Sequence, residues 1–369
     1  MKIAYLANIR FPSERAHATQ IAHMCQAFSQ NGHEVDLYVN KRESADDLQK
    51  YYGFKNEFTL IKIFGGIFLP KIKISFYINE LIFAKIFYFF HARKKYDLLY
   101  SRSEFILFFL SLFVSAKKIV WESHEAKLNW FVRNLIFKKK IKVVVISEGI
   151  YDFYINAGVN PKNTIVAHDG IDESFFADDN ESKVQARMRL GIPAHEKVVM
   201  YIGGFDAWKG VETFFEASES IPSDIKLYVI GGQSEAVEKV KQRWKKVTFL
   251  GPRPYKELQH NQQAADILVI PNTAKTDLSA KYTSPLKLFA HMSSGVPLLV
   301  SKLPSLQIVL GPFANTCTPD DPKDLARQVE MMMKNYAACT EDALKVRAVA
   351  KKYTWDTRAH KVITFVSKS

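Results

Sequence analysis

A chain of 369 residues with 47% hydrophobic and 24% charged positions is too long for one compact core of ordinary size and too apolar to be disordered or fibrous, so two domains of roughly 150 to 200 residues are expected. Its 51 Lys+Arg against 38 Asp+Glu give a net charge of +13, which suits nucleic acid, an anionic membrane surface or phosphorylated substrates without choosing among them. Three widely separated cysteines, Cys25, Cys317 and Cys339, exclude a disulfide framework and a Cys-x-x-Cys metal site, and a reducing cytoplasm is expected.

The opening MKIAYLANIR runs straight into a strand pattern over Lys2–Ala7, without the apolar core and cleavage site of a signal peptide. Ala18–Gln30 has helical periodicity, Asn31-Gly32 supplies its stop, and Glu34–Val39 returns as a second strand. The connecting loop, Asn8–His17, contains no glycine, so it is not the G-x-G-x-x-G fingerprint and a nicotinamide cofactor is disfavoured. Ile61–Lys95 interleaves Phe64, Phe76, Phe83, Phe87, Phe89 and Phe90 with Lys62, Lys71, Lys73, Lys85, Arg93 and Lys94. Such a segment either lies at a membrane interface, attracted by anionic head groups, or packs its aromatic side on the N-terminal sheet. The longest uncharged apolar run, Phe105–Ala116, is too short to span a bilayer.

Strands are expected next at Asp97–Tyr100, Lys118–Trp121, Val143–Ile146 and Thr164–Ala167. After the turn Asp169–Asp172, read as a hinge, the composition becomes polar through Asp178–Arg189, and Gly191-Ile-Pro193 marks a break that places the domain boundary here. Strands then recur at Lys197–Ile202, Lys226–Ile230, Val247–Leu250, Ile267–Ile270 and Leu298–Ser301, a second parallel-sheet unit. Tyr201–Gly210 follows the first of these, so its backbone can approach a ligand at Gly203-Gly204 while Lys209 supplies charge. Gly251-Pro-Arg-Pro254 either lines a nucleotide-base pocket with Arg253 or is a plain loop. Ser284 is a suitable N-cap and Pro285 a suitable first residue for a helix ending near Ser293, and Lys287 stands where a carboxylate would suit the dipole better. A cation beside free backbone N–H groups makes sense if both face an anion such as a diphosphate. No Asp-x-Asp motif and no His/Cys/carboxylate set with metal spacing occurs, so no divalent cation is expected.

The run TSPLKLFAHMSSGVPLLVSKLPS over residues 283–305 resembles the nucleotide-sugar signature of glycosyltransferase family 4, which commonly reads Ser-Pro-x-Lys-Leu-Phe-Glu-Tyr-Met-x-x-Gly-x-Pro. Gly203–Gly210 is similar to the family's Lys-Gly loop, with Gly204 where many members carry arginine. The chain departs from the pattern at the family's Glu-x7-Glu pair, which falls on Tyr282 and Ala290. The resemblance implies an α/β GT-B fold of two Rossmann-like doubly wound domains facing a central cleft. Residues 1–172 would bind the acceptor, residues 173–352 the nucleotide-sugar, and 353–369 would cross back to the first domain. It also implies catalytic roles for Lys209, Lys287 and His124, and donor contacts from Gly203, Gly204, Arg253, Tyr282, Thr283, Ser284, Pro285, Leu286 and Ala290. The acceptor side would involve Glu14, Arg15, His17, Gln20 and Glu125, with the His124-Glu125 pair at the cleft.

The function so implied is retaining, metal-independent transfer of a sugar from a nucleotide diphosphate donor to a glycan or lipid-linked acceptor of the cell-surface polysaccharide type, with no cofactor. Its partners would be the nucleotide-sugar, that acceptor and an anionic membrane surface, with the protein cytoplasmic and peripheral at the inner face of the membrane. Three rivals stay open. A weakened or non-catalytic nucleotide-binding relative would follow from Ala290. A nucleotide-sugar 2-epimerase would need acid/base carboxylates, and no convincing set is apparent. A nucleic-acid-binding protein would explain the charge, but no nucleic-acid module is recognisable and no nucleic acid is expected.

Overall fold

Two parallel sheets, each flanked by helices, dominate the computed structural model, which describes residues 1–13, 15–41, 48–64, 66, 73–92, 95–177 and 181–368. The chain divides into two compact units, Met1–His168 with Trp355–Ser369, and Asp169–Thr354. The division falls ahead of the polar stretch read as a break. That stretch belongs to the second unit because the helix Lys183–Leu190 is anchored there: Arg187 Nη2 pairs with Asp266 at 2.8 Å and Arg187 Nε donates to the Ala264 carbonyl at 2.9 Å.

In the first unit seven parallel strands, β1 (Lys2–Ala7), β2 (Glu34–Asn40), β3 (Thr59–Ile63), β4 (Leu98–Ser101), β5 (Ile119–Ser123), β6 (Lys142–Val145) and β7 (Thr164–Val166), are ordered β3-β2-β1-β4-β5-β6-β7. The inner strands are near-continuous apolar runs because helices cover both faces of a parallel sheet. β3 escaped the sequence reading, since an edge strand buried mainly at Ile63 shows little periodicity and it merged into the aromatic-basic stretch after it. The apolar run after residue 104 starts with a helix, Glu104–Leu110, whose N-terminus Ser103 caps by accepting from the Ile106 N–H at 3.4 Å. The last helix, Trp355–Ser367, belongs to this unit: Trp355 stacks on His23 at 5.5 Å, and Asn31 donates to Asp356 at 2.7 Å.

The second unit carries β8 (Lys197–Ile202), β9 (Ile225–Ile230), β10 (Val247–Phe249), β11 (Ile267–Ile270), β12 (Leu298–Ser301) and β13 (Asn315–Cys317), ordered β10-β9-β8-β11-β12-β13. Successive side chains of β8 enter opposite layers. Val198, Met200 and Ile202 join the core that includes Leu288 and Phe289, while Val199 and Tyr201 join the core that includes Phe214 and Phe215. β13, three residues long, carries too little pattern to be read from sequence.

Strand order reverses between β1 and β4 and again between β8 and β11, and such reversals are where open α/β sheets hold ligands beyond the strand C-termini. At the second reversal the two loops approach each other backbone to backbone. Gly210 has φ +61°, and a Cβ on it would lie 2.0 Å from the Pro271 carbonyl oxygen. Gly210→Ala is therefore expected to destabilise the second unit by about 2 kcal/mol or more, from left-handed strain plus displacement of the neighbouring loop. Thermal unfolding checks this, and an unchanged melting temperature would show that the loop yields freely.

Candidate active site

The second unit's reversal gathers two lysines around Tyr201. The phenol of Tyr201 donates to the Gly204 carbonyl at 2.7 Å, and Lys287 Nζ lies 4.7 Å from the centre of the Tyr201 ring. Lys209 reaches the same place from the loop after β8, pairing with Asp206 at 2.6 Å. A Cβ at position 204 would stand 3.1 Å from Lys209 Nζ and 3.2 Å from Asp206 Oδ2, so Gly204 makes room for that ion pair. Lys287 has a part-exposed stem, but its Nζ is shut off from solvent and has no hydrogen-bond partner among the described residues. Burial, then repulsion from Lys209, brings its pKa down to about 7, against a smaller opposing pull from Asp206.

Lys287 sits on the helix Leu286–Ser293, which starts one residue later than its sequence signals suggest. Pro285 occupies the N-cap position with extended backbone, and no side chain caps the helix. Ser284 does not cap it because its hydroxyl accepts the Asp169 N–H at 3.2 Å. One turn beyond Lys287, His291 is buried and bonded to Gln262 Nε2 at 2.8 Å, and burial followed by the nearby Lys287 charge lowers its pKa to about 3. Asn272, just past β11, is fully buried with neither amide atom partnered among the described residues.

In the first unit a buried carboxylate stands one strand away from the reversal. Glu122, in β5, accepts from Gln20 Nε2 at 2.6 Å and from the Tyr100 hydroxyl, and lies 2.5 Å from His124 Nε2. Arg358, from the last helix, brings its guanidinium within 3.2 Å of Oε1 and 3.3 Å of Oε2. Burial alone would favour a protonated acid, but Arg358 and then His124 outweigh it and hold Glu122 well below the usual carboxylate range. His124 is pushed down to about 4 by burial and by Arg102, so it is neutral at pH 7. Its Nε2 then carries the proton donated to Glu122. Nearby, Asn8, Arg10, Ser13, Arg15, His17 and Tyr51 help line a cavity of about 720 Å³. Burial, Arg102 and Arg15 lower His17 to about 4.

Residues 196–335 match the family described as glycosyl transferases group 1. That stretch makes up most of the second unit, which is thus similar to group 1 glycosyl transferases. Among curated relatives, the D-inositol 3-phosphate glycosyltransferase of Corynebacterium diphtheriae is 26% identical over 251 residues, 62% of this chain and 56% of the relative. An uncharacterised glycosyltransferase of Methanocaldococcus jannaschii is 28% identical over 123 residues, 31% of this chain and 30% of the relative. The chain spans about half the length of the Corynebacterium inositol-phosphate enzymes that it matches. Among solved structures, the sucrose-phosphate synthase of Thermosynechococcus elongatus superposes with a TM-score of 0.79 at 18% identity, covering 100% of this chain and 98% of that one. HepE of Anabaena in complex with UDP-glucose gives 0.77 at 16% identity over 100% of both chains. The fold is GT-B, with two Rossmann-like domains.

Within the second unit the structure brings together Gly203, Gly204, Lys209 and Lys287, with Thr283, Ser284, Pro285 and Leu286 leading into the lysine's helix. Arg253 is exposed beyond β10, the sheet edge, two strands from β8. Tyr282 closes a helical turn, Leu278–Tyr282, and is half-buried. Ala290 is fully buried in the apolar core beside Leu288, Phe289 and Met292, rather than lining an open pocket, because its face of the helix packs against the sheet. In the first unit, His124 pairs with Glu122 and not with Glu125; residues two apart on an extended chain share a side, and Glu125 turns to solvent beside Lys127 at 3.3 Å. Gln20 supports Glu122 from within the core, Arg15 is exposed, and Glu14 lies outside the described residues.

Sequence reasoning missed Glu122, Arg358, Asn272 and His291. A charged residue inside the apolar strand Ile119–Ser123 was the available signal for the first, whereas nothing local marks Arg358, which lies 236 positions away.

Lys287 makes a titration prediction. Its folded pKa, about 7, lies below the ordinary 10.5, so between those values the unfolded chain binds the extra proton and stability rises with pH. Below about 7 both states are protonated and the burial penalty is constant. Urea midpoints of the parent protein and Lys287→Met, measured near pH 7 and again near pH 9, should show the parent gaining on the variant at the higher pH. Parallel shifts would place the Lys287 amine in water.

Proposed function

We propose that the chain transfers a sugar from a nucleotide diphosphate donor to a glycan or lipid-linked acceptor, with retention of anomeric configuration and without a divalent cation. One observation carries the donor half: Lys287 holds an amine with no partner among the described residues, beside Lys209, at a helix start without a side-chain cap and at the reversal of the sheet. An ammonium is rarely buried beside another cation unless an anion completes the site, and two cations plus helix N–H groups match a diphosphate. HepE, which shares the fold, is complexed with UDP-glucose, a donor of this class.

In this mechanism the diphosphate leaves toward Lys209 and Lys287, whose charge stabilises the negative charge growing on the leaving oxygen. The acceptor hydroxyl attacks from the same face and passes its proton to a donor phosphate oxygen as the glycosidic bond to the diphosphate breaks. No side chain need act as base, which agrees with His124 being a weak base tied to Glu122. The cationic surroundings of the first-unit cavity, Arg10 and Arg15, favour an acceptor bearing negative charge. A 2-epimerase is disfavoured because Glu122, the buried carboxylate found there, is locked in its ionised form by Arg358.

Calorimetry with UDP, GDP and ADP should give binding for at least one nucleotide that EDTA does not abolish. Lys287→Ala should weaken that binding by about 1.5 to 3 kcal/mol, the range for a hydrogen bond to a charged group. Loss of binding on chelation would overturn the metal-free reading, and an unchanged affinity in the variant would remove Lys287 from the site.

A second reading, a weakened or non-catalytic relative, is favoured by Ala290, which stands where the resembled family has a carboxylate that bonds the nucleotide ribose. Position 290 follows Lys287 by three residues, so a glutamate there would share its helix face. Ala290→Glu is expected to lower the melting temperature of the free protein, since the site is fully buried, and to tighten nucleotide binding by about 1.5 to 3 kcal/mol if the ribose bonds form. Nucleotide affinity that stays flat or falls would show that this chain holds the ribose by other groups.

A further inference from the structure

The helix Lys73–Ile86 of the first unit is apolar on both sides. Its inner side buries Phe83 and Ala84, while Ile74, Ile78 and Leu81 form an exposed stripe at helical spacing with Lys85 next in register. The stripe continues past the helix end into Phe89, 61% exposed, and Phe90, 75% exposed. Other segments extend it. Tyr77 meets Phe105 at 4.5 Å, Phe105 meets Phe131 at 4.6 Å, and Phe108 meets Trp130 at 5.0 Å, with Trp130 itself 61% exposed. Tyr88 meets Phe113 at 4.6 Å, next to the exposed Leu112. The rings thus join three stretches of sequence into one outward apolar face, far more than the singly scattered residues of an ordinary surface.

The exposed charges on these three stretches have one sign, with Glu125, exposed beside Lys127, just outside them. Across residues 73–92, 104–118 and 130–140 the acidic residues are Glu80 and Glu104, both buried, whereas Lys85, Lys117, Lys118, Arg133, Lys138 and Lys140 are exposed. Lys139 donates to the Ser111 carbonyl at 2.9 Å, which ties the lysine run to the turn bearing Leu112 and Phe113. No helix among the described residues is long and apolar enough to cross a membrane. We propose that this composite face seats the first unit on an anionic phospholipid surface, its rings entering the boundary between head groups and acyl chains and its lysines meeting the lipid phosphates. Amphipathic rings in a mainly cationic surround fit that occupant, whereas a second copy of this chain, at net charge +13, would bring no such excess of negative charge. The proposal deepens the reading of a lipid-linked acceptor and rests on it only for its purpose, since the face exists whatever the chemistry.

Flotation of the whole chain with phosphatidylcholine vesicles, with and without phosphatidylglycerol, tests it. The parent should float with the anionic vesicles and release in about 1 M salt, where screening reaches about 3 Å. Phe89→Ser with Phe90→Ser, and separately Trp130→Ser, should each cut the bound fraction about tenfold, and Lys138→Glu with Lys140→Glu should abolish the preference for anionic lipid. These side chains are exposed, so melting temperatures should hold. Absence of flotation at low salt, variants that float like the parent, or a dimer of the parent that the ring variants split would each overturn the proposal. UDP calorimetry on the same samples separates the two ideas: intact nucleotide binding without flotation sinks the membrane face alone, and flotation without nucleotide binding sinks the donor reading alone.

Discussion

Burying a parallel sheet on both faces leaves its middle with room only for apolar side chains, so polar chemistry is forced to the strand ends. Both units obey this constraint. Glu122 and His124 stand at the end of β5, Lys209 on the loop after β8, and Asn272 just past β11, close to the places where strand order reverses. At a reversal the loops diverge to opposite sides and a crevice opens without any side chain having to be removed. The second unit uses that crevice with unusual economy. Gly210 lets the β8 loop approach the β11 loop backbone to backbone, and Gly231 does the same for the β9 loop, where a Cβ would lie 2.2 Å from the Gly203 carbonyl oxygen.

Lys287 then stands out because its surroundings oppose its charge twice, by burial and by Lys209. A group left without a hydrogen-bond partner in such a place costs on the order of 1 to 3 kcal/mol. The rest of the domain stabilises itself elsewhere, through the Arg187–Asp266 pair and two apolar layers against the sheet, so it can hold one unsatisfied amine. The Tyr201 ring eases the cost without cancelling it, because its face attracts the ammonium while its hydroxyl is spent on Gly204.

The alternation of strands and helices was legible in the sequence because long apolar runs punctuated by Gly and Asn mark buried parallel strands. β3 and β13 were not, being an edge strand and a three-residue strand. Lys209 and Lys287 could be picked out because each sits in an unusual local pattern, a Lys-Gly loop and a helix start lacking a carboxylate. The Glu122 cluster could not. It is assembled from Gln20, Tyr100, His124 and Arg358, residues from four separate elements whose meeting depends on the last helix packing beside the first. Ala290 shows the opposite limit: a motif position was legible, yet only the packing reveals that it is fully buried in apolar surroundings.

The two buried charged groups therefore carry different meanings. Glu122 is surrounded by donors, and its charge is matched by a guanidinium close to both oxygens, so its free energy is already low and a ligand would have little to add. Lys287 has no acceptor among the described residues and a like charge nearby, so an arriving anion would relieve both the desolvation and the repulsion. A satisfied cluster is the mark of a scaffold that orients its neighbours, here holding His124 as a neutral ring whose Nε2 proton points at Glu122. An unsatisfied one is the mark of a site completed by something outside the chain. By that criterion the Glu122 cluster reads as scaffold and the lysine pair as the place in the second unit where an added anion would lower the free energy most.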